Sequence, residues 1–202
     1  MIDHVIVDIE IAKTIEETPG GCDATDKLGV AVACLWEERS QRMRVYGPKD
    51  VPALQERLLK ADQITGYNIW RFDFPVIWGE PRASWAAGPF EPLSLRWRLR
   101  ERCDDILERV WQARGYDPDK DAGPKMYAGT KLDEIAFNTI GQSKIGNGAD
   151  APKWYQAGDV QKVVNYCCDD VMLERDLGRF IDLYGYVIYK GQPLKVAPWN
   201  GL

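Results

Sequence analysis

His4-Val-Ile-Val-Asp-Ile-Glu10 is the stretch on which the reading of this chain turns. Its β-branched residues and short length predict a buried central strand. Side chains alternate across a strand, so Asp8 and Glu10, two apart, point to the same face. Two like charges side by side near the middle of a sheet repel one another unless cations neutralise them. An Asp-x-Glu pair is common by chance at this composition. Its weight here comes from lying inside an otherwise uncharged Val/Ile run.

Downstream of that strand, Leu28 to Trp36 and Arg42 to Tyr46 read as a second and third strand around a polar break at 37–41. Asp50 to Ala61 sets Val51, Leu54, Leu58 and Leu59 at helical spacing, which predicts an amphipathic helix. Gln63 to Tyr67 reads as a fourth strand, and a helix is expected from Phe72 towards Trp78. Residues 79–95, rich in Gly, Pro, Ser and Ala, read as an irregular insertion. A short strand over Arg100–Asp104, a helix through Trp111 and a Gly/Pro/Asp-rich loop over 115–130 follow. Helical patterns run from Leu132 to Thr139 and from Asp159 to about Leu183, before a C-terminal extension, 184–202, with a small strand or hairpin near Val187. With no repeat and no linker, the order of elements predicts one α/β domain over 1–202, a mixed sheet flanked by helices.

Composition narrows the chemistry. The 202 residues are 45% hydrophobic and 28% charged, an ordinary globular balance that excludes collagen, long disorder and a disulfide scaffold. A net charge of -5 and a pI near 5.1 speak against a broad basic face for a phosphate backbone. His4 is the one histidine, so a catalytic triad, a multi-histidine zinc site and a two-histidine acid/base pair are excluded. The five cysteines, Cys22, Cys34, Cys103, Cys167 and Cys168, show no CxxC spacing and are expected to stay reduced. No apolar run reaches the roughly 18 residues of a membrane span, and no basic-then-apolar signal pattern opens the chain. A cytoplasmic protein without a membrane partner is expected.

Two further constellations carry acidic residues. Asn68-Ile-Trp-Arg-Phe-Asp73 follows the fourth predicted strand. An Asn-x-x-x-Phe-Asp string is expected by chance only about 0.01 times at this composition. Its plain structural alternative is a capped helix N-terminus with Phe72 packed in the core. Tyr166-Cys-Cys-Asp-Asp170 lies in the last helix, where residues four apart share a face. That spacing sets Asp170 below Tyr166, on the apolar side with Val163, Val164 and Leu173. Asp169 points roughly 100° away, towards solvent or a basic neighbour.

Taken in order, these residues resemble the DEDD superfamily of 3′–5′ exonucleases on the ribonuclease H-like fold. Asp8 and Glu10 look like its first motif, Asn68 with Phe72-Asp73 its second, and Tyr166 with Asp170 its third. The Tyr-x-x-x-Asp spacing is similar to the tyrosine branch (DEDDy). Leu132-Asp-Glu-Ile, Ile140-Gly-Gln-Ser-Lys144 and Tyr166-Cys-Cys-Asp-Asp170-Val are similar to the proofreading exonuclease domain of family B DNA polymerases and its stand-alone relatives. The likeness spans residues 4–183. It departs at Ile11, where relatives carry Thr or Ser.

The resemblance implies an α/β, ribonuclease H-like fold and two bound divalent cations. Four carboxylates form the hard-oxygen set that Mg²⁺ or Mn²⁺ takes. On this reading Asp8 bridges both ions, Glu10 and Asp170 support the nucleophile-side ion, and Asp73 supports the other. Tyr166 orients the attacking water; Asn68, Trp70, Phe72 and Lys144 are the candidate nucleic-acid contacts, with the two aromatics stacking on terminal bases and Lys144 meeting a phosphate. The expected partner is a single-stranded nucleic acid 3′ end, DNA foremost, with a polymerase or helicase acting in trans left open. A ribonuclease H-like endonuclease and a non-cutting nucleic-acid-binding module share the same residues. Arg96, Arg98, Arg100, Arg102, Arg109 and Arg114, interleaved with Trp97 and Trp111, form the strongly basic stretch. They would either guide the substrate or lie salt-bridged to Glu101, Asp105 and Glu108.

Overall fold

The computed structural model of the chain describes residues 2–85, 90–121 and 123–199. Strands β1 (His4–Ile11), β2 (Val30–Glu37), β3 (Arg42–Tyr46), β4 (Gln63–Gly66) and β5 (Cys103–Asp105) form one five-stranded sheet in the order β3-β2-β1-β4-β5. The sheet is mixed: β1 runs antiparallel to β2 and parallel to β4, which is parallel to β5. The strand read first is therefore the central one. A bulge opposite Glu10 and Ile11, where the register slips by one residue at Ala31 of β2, bends β2 beside the carboxylate end of β1.

Helices α1 (Thr25–Leu28), α2 (Val51–Lys60), α3 (Phe74–Trp78), α4 (Leu95–Arg100) and α5 (Ile106–Ala113) are followed by α6 (Pro124–Tyr127), α7 (Leu132–Ile140), α8 (Ala151–Gln156) and α9 (Val160–Tyr184). Alternation along β1 sorts its side chains between two layers. Val5, Val7, Ile9 and Ile11 pack with Leu54 and Leu58 of α2 and Phe74 and Ile77 of α3. Ile6 packs the other way, with Cys34 of β2 and with Val163, Tyr166, Cys167 and Val171 of α9. Asp8 and Glu10 share the face of Ile6, so the sheet turns them towards α9. Each such buried aliphatic contributes about 1.5–3 kcal/mol relative to exposure.

The second half of α9 belongs to another cluster. There Leu173, Leu177 and Ile181 meet Ile106 and Val110 of α5, Leu132 and Ile135 of α7, and Val187. Val187 lies in the hairpin of β6 (Tyr186–Tyr189) and β7 (Gln192–Lys195), turned by Lys190 and Gly191 at φ 50° and 74°. Two positive φ values in a two-residue loop are what the twist of a tight hairpin requires.

Several expected boundaries move. Leu28 ends a helical turn rather than opening β2, because Gly29 at φ 66° breaks the chain direction between them. Arg100 closes α4 instead of starting a strand; the Ser94 hydroxyl caps that helix by accepting from the Trp97 N–H. The helix expected from Phe72 begins earlier, as a π-helical turn at Ile69–Asp73. Helix α8, with Pro152 in its first turn, lies between the two helices expected at 132–139 and 159–183, where no element was expected. Within the expected insertion, Arg82–Trp85 form a 3₁₀ turn with Trp85 fully buried. Residues 86–89 of that insertion and 200–202 of the expected extension lie outside the described residues. No described helix is long and apolar enough to cross a membrane.

Candidate active site

Strand and helix geometry together bring the acidic residues to one place. Asp8 and Glu10 come from β1 and Asp170 from α9, and one carboxylate oxygen of each lies within 4.8 Å of the others. Asp73 is outside that triplet but inside the same cleft, its Oδ1 accepting from the Ile9 N–H at 3.2 Å. Ile9 is the residue between Asp8 and Glu10, so this bond ties the second motif to the first. The cleft, about 240 Å³, is lined by Asp8, Glu10, Asn68, Phe72, Asp73, Lys144 and Asp170 among others. At about 30 Å³ per water, that is room for hydrated ions and a phosphate group.

Asp73 is aimed by an unusual piece of backbone. Asn68 is left-handed at φ 65°, and a long-range helical bond runs from the Phe74 N–H to the Ile69 carbonyl. Such π-turns insert one residue into a helix and recur at functional sites. Asp105 holds this turn in place. Its carboxylate accepts from the Asn68 N–H at 2.9 Å and the Trp70 N–H at 3.1 Å, and caps α5 through the Leu107 N–H at 3.0 Å. Burial, and then the neighbouring Glu108, push the Asp105 carboxyl up to about 7.

The extra residue also decides which aromatics face the cleft. Trp70 was expected to stack on bases, but it is 2% exposed, packed edge-on against Phe74, Trp85 and Phe90 with the Arg100 guanidinium 4.9 Å from its ring. It is a core residue. Phe72 is half-buried and lines the cleft, as does Asn68.

Lys144 sits on the loop after α7, its N–H donating to Asp133 Oδ1 at 2.8 Å. Its side chain is partly exposed, and its Nζ lies 2.6 Å from Asp170 Oδ2 and 5.3 Å from the Tyr166 ring centre. Tyr166 is buried against Trp154, and Gly146 leaves it room: a Cβ there would stand 3.2 Å from the ring. The Tyr166 hydroxyl has no hydrogen-bond partner among the described residues. Asp169 is exposed, as its place on the helix predicts.

Crowded carboxylates resist ionising. Burial, and then the charge of Asp170, push Asp8 up to about 7. Burial followed by Asp8 raises Glu10 and Asp73 well above the usual range. Burial also raises Asp170, against the pull of Lys144. Burial works against the Lys144 ammonium, yet Asp170 and Asp8 outweigh it and keep the lysine charged. Tyr166 is raised by burial, so its hydroxyl stays protonated. Asp8 Oδ2 and Asp170 Oδ1 are buried with no hydrogen-bond partner among the described residues. Orphaned hard oxygens of this kind fit divalent cations.

A fifth carboxylate belongs to this neighbourhood. Glu174 is 1% exposed, one helical turn beyond Asp170, and burial together with Asp8, Asp73 and Asp170 raises its carboxyl well above the usual range. The four-residue spacing that links Tyr166 to Asp170 extends directly to it.

The basic stretch takes the salt-bridged form. Arg96 pairs with Glu80 at 2.6 Å, Arg100 with Glu108 at 2.6 Å, and Arg109 with Asp182 at 2.7 Å. Arg102 donates to the Leu59 carbonyl and Arg114 to the Lys125 carbonyl. Of the six, Arg98 alone is exposed without a partner among the described residues. Asp105, expected among the salt-bridge partners, is instead engaged by backbone N–H groups.

No protein-family model matches the sequence, and no curated protein matches it.

Proposed function

We propose that the chain is a metal-dependent 3′–5′ exonuclease with a ribonuclease H-like arrangement of its mixed sheet, releasing nucleoside monophosphates from the 3′ end of single-stranded nucleic acid, DNA foremost. The observation that carries this reading is the meeting of Asp8, Glu10 and Asp170 within 4.8 Å, with Asp73 lining the same cleft. Carboxylates from three elements distant in sequence are held together at a cost in charge repulsion, which a cation site explains.

Asp8, Glu10, Asp73 and Asp170 would hold two divalent ions, Mg²⁺ or Mn²⁺. Bound there, such ions supply an activated water and counter-charge for the departing 3′ oxygen. Tyr166, kept protonated, would orient the attacking water rather than act as a base. Lys144 is the basic residue among those lining the cleft and would face the incoming phosphate. Phe72 and Asn68 would meet the terminal nucleotide, and Ile11, also lining the cleft, would give it an apolar contact.

The test is incubation of 5′-labelled single-stranded DNA and RNA with Mg²⁺, Mn²⁺ or EDTA, beside a circular single strand. A ladder shortening from the 3′ end, dependent on metal and absent for Asp8→Ala and Asp170→Ala, is expected. Cutting of the circle would replace the exonuclease reading with an endonuclease. Undiminished activity of Asp8→Ala would refute both.

A further inference from the structure

We propose that Glu174 is a fifth carboxylate of the cation site, holding a divalent ion together with Asp8 at the inner end of the cleft. The inference rests on the metal-site reading above and extends it to a residue outside the four motif carboxylates.

Three observations carry it. Glu174 is almost wholly buried, yet its Oε2 has no hydrogen-bond partner among the described residues. An ionised carboxylate without a partner is among the costliest groups to bury. Second, Glu174 lines a cavity of about 650 Å³ that also takes in Asp8, Tyr67, Asn68 and Lys144. Those same four residues line the cleft that holds Glu10, Asp73 and Asp170, so the two spaces adjoin across Asp8. Third, Glu174 Oε2 lies against the end of β4: a Cβ on Gly66 would stand 3.5 Å from it, in ordinary contact, while the Ile69 side chain and the Val7 carbonyl, the latter at 2.7 Å, are what require glycine there.

Charge counting agrees. The four motif carboxylates and Lys144 leave three negative charges, which two divalent ions would overshoot. With Glu174 ionised there are four, and two ions balance them. Of the two lysines that line this cavity, Lys144 is committed to Asp170 at 2.6 Å and Lys131 is exposed, and neither pairs with Glu174 among the described residues. Glu174 therefore gains a partner when an ion enters, and its position beside Asp8 biases the site towards a second ion.

The experiment is a Mn²⁺ titration of the full chain at fixed pH, read by electron paramagnetic resonance of the free ion and by calorimetry. Wild type, Glu174→Gln, Glu174→Asp and Asp169→Asn are compared; the last removes the same charge from an exposed position of the same helix. Two ions are expected for wild type and for Asp169→Asn. Glu174→Gln should lose one ion or bind it at least tenfold more weakly, with a correspondingly smaller rise in melting temperature on adding Mn²⁺. Glu174→Asp, with its charge kept but its reach shortened, should fall between them. Should Glu174→Gln fail to fold, Glu174→Asp decides the matter. Wild-type stoichiometry and affinity in the folded variant overturn the proposal while leaving the nuclease reading standing, provided wild type binds Mn²⁺ and cleaves. A wild-type chain that binds no Mn²⁺ overturns both.

Discussion

Replacing Asp8 by Asn removes one charge from the cleft at nearly constant shape, and the sign of its effect on the ion-free protein follows from the geometry. Burial and Asp170 push the Asp8 carboxyl from the ordinary 3.8 up to about 7. A folded-state pKa above the unfolded one means that the folded chain binds this proton more tightly. The associated stability is fully present below about pH 4 and is lost as pH rises towards 7. A gap of about three pH units at 1.36 kcal/mol each sets an upper bound near 4 kcal/mol. The opening of the cleft to solvent and salt reduces this to about 2 kcal/mol. Asp8→Asn in EDTA should therefore be more stable than wild type by about 2 kcal/mol at pH 8, with a smaller gain at pH 5. Added Mn²⁺, which binds only the folded chain, should stabilise wild type strongly and the variant little. Urea unfolding followed by tryptophan fluorescence, at both pH values with EDTA or Mn²⁺, measures all of this. The reasoning fails if the variant is less stable than wild type in EDTA at pH 8. It fails equally if Mn²⁺ stabilises both proteins alike.

Three other substitutions separate architecture from chemistry. Asp105→Ala strips the acceptor from the Asn68, Trp70 and Leu107 N–H groups; the lost cap and orphaned donors should cost about 3 kcal/mol, with faster hydrogen exchange at Asn68 and Trp70. Tyr166→Phe removes a hydroxyl that has no partner among the described residues, so stability measured in urea should change by less than about 1 kcal/mol. The same change should slow single-turnover hydrolysis by about 10²-fold. Trp85→Ala empties the centre of the aromatic cluster and should cost about 3–5 kcal/mol, with loss of the near-ultraviolet circular dichroism of Trp70 and Trp78.

What could be read in the residue order was what depends on local periodicity. Alternation in β1 sent Asp8 and Glu10 one way and Val7 and Ile9 the other, as the packing shows. The four-residue spacing set Tyr166 and Asp170 on the buried face of α9, where both lie. The fate of Trp70 is not legible because the helix is expected only from Phe72; the π-helical turn over Ile69–Asp73 carries Trp70 in the core and Phe72 at the cleft. Asp105 and Glu174 do carry local signals. Asp105 follows a strand and precedes Ile-Leu-Glu, the pattern of a helix cap, while Glu174 repeats the spacing already in use. The fate of the arginines was only partly local: Glu108, an expected partner, does hold Arg100, whereas Glu80, Asp182 and the Leu59 carbonyl lie farther along the chain from the arginines they meet.

The 25 residues of α9 run about 37 Å at 1.5 Å each, and they are shared between two packing clusters. Asp170 and Ile181 are eleven residues apart on one stiff rod, about 16 Å along its axis. The rod's far end is seated by Val187 of the β6–β7 hairpin, while Asp8 and Glu10 stay fixed to the sheet. Sliding or rolling that rod moves Tyr166, Asp170 and Glu174 together against the strand. The spacing of Asp170 from Asp8 and Glu10 thus depends on how one long helix is seated along β1, β2 and β4 and against α7 and the β6–β7 hairpin.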